Sequence, residues 1–280
     1  MSSQTIKLPS IWRLTADTGR VFAKHWWRYM LIAALVAVPI SLLSWLFQAD
    51  QVGAFNAYAN IAVLIMDVAL MYAVIHAVKS HLKPKLAKSY YDGSASFLRF
   101  VLTLTVIIFM AMPAGLGIVI YLIGADPSTN NITLADQLIL GLVGLLLAIP
   151  TVWWLGRFTL SLYGAVEAGL RPWDALRFSR RLTLGRYWAV TGRLAYMMVL
   201  TLLLLTALYI PVVYLAMLLG QDQTFVNAIY GVVVNVLLLA PVNIYLFLLY
   251  DAVASLHLPA DPKPEPEPVV EEALSAEGLL

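Results

Sequence analysis

Asp67 is the one charged residue between positions 61 and 75 of an otherwise apolar run. If that run crosses a bilayer, an ionised carboxylate there costs at least ~2.5–3.5 kcal/mol, so Asp67 must be neutral, paired or facing water. Two chemistries fit a carboxylate so placed: a hydrogen bond that joins helices, or a stepping point for a proton or cation. Asn60, seven residues earlier, shares its helical face. Asn227, Gly231 and Asn235 recur every four residues along another apolar stretch, so their side could meet Asp67 and Asn60 in a polar seam. Ala69, Ala73 and Ala77 give the Asp67 stretch a second, small-residue face for close helix contact. Arg157 lies in a further apolar stretch, from which its long stem can carry the guanidinium to lipid headgroups or to a carboxylate.

Catalytic patterns do not occur. His25, His76, His81 and His257 form no HExxH or other close ligand spacing, and His76, nine residues from Asp67, is half a turn out of phase with it. There is no P-loop, no GxSxG elbow and no GxGxxG fingerprint. The absence of cysteine excludes disulfides, thiolate metal sites, iron–sulfur clusters and cysteine nucleophiles. The expectation is a chain that is not an enzyme and holds neither a metal nor a cofactor.

The elements that position these residues follow from composition. With 61% hydrophobic and 12% charged residues among 280, and a mean hydropathy of +0.81, a water-soluble globule is excluded. Six windows contain the roughly 20 apolar residues that a bilayer crossing needs. They lie near 29–48, 56–79, 98–123, 137–165, 189–219 and 225–250. The predicted fold is therefore an all-α integral membrane protein, its six transmembrane helices arranged as three hairpins. Prolines 39, 113, 150, 211 and 241 fall inside five of these windows, which predicts kinks.

Charge orients the chain. The 18 lysines and arginines lie in the N-terminal segment, the second and fourth connections, their edges and the tail, while the connections at 47–55, 124–136 and 220–224 carry none. By the positive-inside rule both termini are cytoplasmic. A net charge of only +2 gives no reason to expect a nucleic-acid partner.

Residues 1–28 read as a cytoplasmic amphipathic segment: Arg13, Asp17, Arg20, Lys24 and Arg28 follow one face, and Ile11, Leu14, Val21, Phe22 and Trp26 fill much of the other. A second such helix precedes span 5, with Asp174, Arg177 and Arg181 opposite Ala175, Phe178 and Leu182. Basic helices of this kind lie in the headgroup plane and attract anionic lipid. Trp26, Trp27, Tyr29, Trp45, Tyr163, Trp173 and Trp188 are expected as interfacial anchors. The phrases Trp27-Arg28-Tyr29, Leu98-Arg99-Phe100 and Gly185-Arg186-Tyr187 hint at three copies of one hairpin. Residues 251–280, with a run of prolines and glutamates, form a cytoplasmic tail expected to be disordered, as the 29–250 membrane domain is not.

The stretch from 157 to 188, RFTLSLYGAVEAGLRPWDALRFSRRLTLGRYW, resembles the signature of YciC-like bacterial inner-membrane proteins and of the membrane domain that accompanies some glycerophosphodiester phosphodiesterases. Arg157, Glu167, Ala175, Leu176, Arg177, Ser179, Gly185, Arg186 and Trp188 match, while Ala168-Gly169 after Glu167 departs from the pattern. With Arg181 these residues would form a cytoplasmic interface. The resemblance implies the bacterial inner membrane; phosphodiesterase activity is not expected to carry over, since those relatives hold it in a separate soluble domain and span 6 here is followed by a tail. Together with the motif search it leads to an expected role in envelope or lipid organisation, or as an accessory subunit. The expected partners are membrane lipids, anionic ones included, and a membrane or cytoplasmic protein. A secondary transporter or permease for a small or amphiphilic solute is the alternative, working through Asp67, Asn60 and the asparagines of span 6.

Overall fold

The computed structural model describes residues 8–46, 53–81, 83–124, 134–220 and 223–256. The expected turns at 47–52, 125–133 and 221–222 and the tail beyond 256 lie outside the described residues. The chain forms α1 (Ile11–Leu46), α2 (Gly53–Lys79), α3 (Leu86–Gly124), α4 (Leu134–Phe158), α5 (Ser161–Glu167), α6 (Pro172–Thr183), α7 (Tyr187–Leu218), α8 (Gln223–Leu237) and α9 (Leu239–Ala254). Among the described residues, six helical stretches are long and apolar enough to cross a membrane. The protein is an all-α membrane protein.

Two of the six predicted spans are interrupted. The fourth is divided into α4 and α5, and the sixth into α8 and α9. The second interruption, at Leu238, lies three residues before Pro241, which has no N–H to continue the ladder. Pro39, Pro113, Pro150 and Pro211 remain inside continuous helices. Within α1 the backbone is non-helical at His25 (φ −136°, ψ 20°), a kink that divides the N-terminal helical part from the part that continues into span 1. The turn at that residue lets the polar N-terminal part and the apolar remainder follow different directions.

The core is concentrated in α2 and α9, where Met66, Leu70 and Val74 meet Ile244, Phe247 and Leu249. Leucines such as Leu145, Leu146, Leu202 and Leu203 on α4 and α7 face outward. In lipid this is no penalty, so helix contact must come from close packing instead. Glycines and alanines provide it. A Cβ on Gly117 of α3 would lie 3.0 Å from both the Cα and the carbonyl oxygen of Gly144 on α4. Further along, the Ala114 N–H donates to Thr151 Oγ1 at 3.2 Å, so α3 and α4 run antiparallel. Ala69, Ala73 and Ala77 are buried, and Gly93 of α3 sits against Ala69.

Two expected anchors are instead core residues. Tyr29 is 0% and Tyr163 1% exposed, and both belong to the main apolar cluster. Tyr163 packs at a tilt against Phe247 and Tyr250, with ring centroids 5.6 and 5.7 Å away. An aromatic ring buries more apolar area inside a bundle than it does at a headgroup surface, and helix rotation decides which it reaches. Trp26, Trp27, Trp45, Trp173 and Trp188 are exposed.

Candidate functional site

Asp67 meets an asparagine, but not one of those on its expected seam. Asn243 of α9 donates from Nδ2 to Asp67 Oδ1 at 2.8 Å, and to the Leu239 carbonyl at 3.2 Å. Tyr163 of α5 donates its hydroxyl to Asn243, 2.9 Å from the backbone carbonyl and 3.0 Å from Oδ1. Three helices thus meet in one chain of bonds: tyrosine to amide, amide to carboxylate. Asn243 is 5% exposed and Asp67 partly buried. With its amide spent on Asp67 and its own helix, and its oxygens engaged by Tyr163, Asn243 is a filled connector.

The other predicted polar residues do not join this node. Asn60 is exposed on α2. Asn227 is exposed on α8 and accepts from Gln223 Nε2 at 3.1 Å. Asn235 turns back on its own helix, donating to the Gly231 carbonyl at 2.8 Å. Asn243 lies eight residues beyond Asn235, on α9 past the interruption at Leu238, so the four-residue repeat of 227, 231 and 235 within α8 does not single it out. Tyr163 carried no signal either, since a tyrosine near a span end reads as an anchor.

Arg157, at the end of α4, reaches no carboxylate among the described residues. Its guanidinium lies over the Trp153 ring, 3.9 Å from the centroid, and 5.7 Å from that of Tyr187. Ser179 of α6 donates from Oγ to the Arg157 carbonyl at 2.6 Å, which fixes α6 against the end of α4. Within α6, Ala175, Leu176, Ser179, Leu182 and Thr183 are buried while Arg177, Arg180 and Arg181 are exposed. Arg186, just before α7, has Nη1 buried without a hydrogen-bond partner, and Trp188 stands exposed beside it.

Charged groups gather at one end of the bundle. Lys79, the last residue of α2, pairs with Glu167, the last of α5. Tyr250 and Asp251 of α9 line a cavity of about 400 Å³ next to that pair. Of these four residues only Glu167 is a candidate site residue from the sequence, named by the resemblance rather than by any spacing. A second cavity, of about 420 Å³, is lined by His76, His81, Lys83, Lys85 and Lys88. His76 Nε2 is 3.9 Å from Asp92 Oδ2. Arg28 of α1 donates to the Pro84 carbonyl at 2.9 Å, and Arg193 of α7 to the Pro9 carbonyl at 3.0 and 2.7 Å. Gly169, at φ +62°, leaves room for Arg99, whose Nη1 would be 2.9 Å from a Cβ there.

Among the described residues, no group of three or more His, Cys, Asp or Glu is placed to hold a metal ion. No family model, no curated protein and no solved structure matches the chain.

Proposed function

We propose that this chain is a non-enzymatic protein of the bacterial inner membrane, with both termini cytoplasmic, that supports envelope or lipid organisation or serves as an accessory subunit. The observation that carries the reading is the bond from Asn243 to Asp67, backed by Tyr163. The carboxylate in the apolar run serves to join α2 to α9, and it does not line the two cavities at the cation-rich end. A stepping point for ions needs an open, water-bearing approach; a structural bond needs a filled one. The cation-rich end is then the cytoplasmic end, in line with the positive-inside rule.

The transporter alternative is favoured by one feature, the interruption at Leu238, which breaks span 6 within two turns of Asn243. Broken spans can offer free carbonyls to ions. Replacing Asp67 by asparagine decides between the two. Asp67→Asn keeps an acceptor for the Asn243 amide and removes the cost of a charge, so thermal stability in detergent should be unchanged or slightly raised. Proton- or cation-coupled flux in proteoliposomes should be absent from both parent and variant. Flux in the parent that disappears in Asp67→Asn would overturn the proposal in favour of the transporter.

A further inference from the structure

A groove of about 660 Å³ runs along the outer side of α3 and α4 and ends under α6. Its length is apolar, with Phe109, Met112 and Leu116 on α3. Arg157, at the end of α4, and Arg180 of α6 line it as well, with Trp153 and Trp173, and the bond from Ser179 of α6 to the Arg157 carbonyl puts both arginines at the α6 end. From Val106 to Leu116 the wall follows ten residues of helix, about 15 Å at the α-helical rise, or about one leaflet of a 30 Å hydrocarbon core.

We infer that this groove seats an anionic phospholipid, its phosphate between Arg157 and Arg180 and an acyl chain along α3. Charge complementarity is the first argument. None of the ion pairs among the described residues involves either arginine, so two cations share one end of a groove without a carboxylate to balance them. Arginine forks suit phosphate oxygens, and a guanidinium already stacked on Trp153 loses little freedom when it binds. Shape is the second. A free phosphate would use the charged end and leave the apolar wall empty, whereas a lipid uses both. Exposed Trp153 and Trp173 at the charged end stand where indole rings meet headgroups. The site deepens the lipid-organising reading and rests on it. Its failure would leave the flux result untouched, so the two can fail separately.

The test uses the full chain in phosphatidylcholine bilayers containing phosphatidylglycerol with a photoactivatable group in its acyl chain, and cross-linked peptides are mapped. Labelling is expected to concentrate at residues 106–116. Arg180→Gln, an exposed substitution that leaves the Arg157 stack intact, should reduce it several-fold. Arg157→Gln/Arg180→Gln should reduce it about tenfold, the loss of a charge-assisted phosphate contact. Arg13→Gln/Arg20→Gln removes the same charge from α1 and should leave labelling unchanged. Excess inorganic phosphate should not compete. Labelling spread evenly onto the exposed leucines of α7, an undiminished yield in Arg180→Gln, an equal loss in Arg13→Gln/Arg20→Gln, or displacement by inorganic phosphate would each overturn the assignment.

Discussion

At the scale of single residues, Asn243 holds more of the interior together than Asp67 does. Its amide serves Asp67 and the Leu239 carbonyl, and its oxygens receive Tyr163. Asn243→Ala leaves Tyr163 its bond to the backbone carbonyl but strands the Asp67 carboxyl in an apolar surrounding, at about 1–3 kcal/mol or more for a group that can carry charge. Tyr163→Phe removes one hydroxyl proton shared between the two Asn243 oxygens and strands no donor, about 1 kcal/mol. Thermal melting in detergent should accordingly rank the parent above Tyr163→Phe, and Tyr163→Phe above Asn243→Ala. Equal melting of the two variants would mean that the tyrosine, not the amide, organises the node. That Asp67 required a partner was legible from its apolar neighbours alone. Which partner was not legible: Asn243 is 176 residues away and on a helix that restarts after Leu238.

At the scale of elements, helices that are apolar on every side have no water to drive them together, and what selects their neighbours is how closely backbones can approach. The α3–α4 contact makes this testable with two glycines of one helix. Gly117 has the backbone of Gly144 within 3.0 Å of where a Cβ would be, while Gly115 has nothing within 4 Å. Gly117→Leu should lower stability in detergent by about 1–3 kcal/mol through overpacking, and Gly115→Leu should not. Similar losses for both would show that helix propensity or lipid exposure, rather than the close approach, sets the cost. The connection into α6 has a second such position. Gly169→Ala forces a side chain into a left-handed backbone at φ +62° and pushes against Arg99. It should cost about 1–2 kcal/mol, measured in the same way.

At the scale of the whole molecule, the bonds of Arg28, Lys79, Arg157 and Arg193 tie the helices together at their cation-rich end. If that end is cytoplasmic, reporter fusions after Lys83, Arg180 and Asp261 should report the cytoplasm, and fusions after Leu46, Asp126 and Asp222 the outer side. An outer signal at Lys83 would invert or break the six-span threading. With the cation-rich end cytoplasmic, the Arg157 groove would open to the inner leaflet, and inverted topology would move the proposed lipid to the other one.

The sequence by itself determined six membrane-spanning stretches, an all-α fold, the lack of catalytic motifs, and the need of Asp67 for a partner. Each is a local property: apolar length, residue type or spacing within one helix already contains the relevant energy. Tertiary structure alone decided that Asn243 and Tyr163 answer Asp67, that Tyr29 and Tyr163 leave the interface for the core, and that Arg157 stacks on Trp153 above an apolar groove. These depend on the rotation and depth of one helix against another. A 100° turn per residue converts a shift of one or two positions into a different face, and nothing in a uniformly apolar stretch records that rotation.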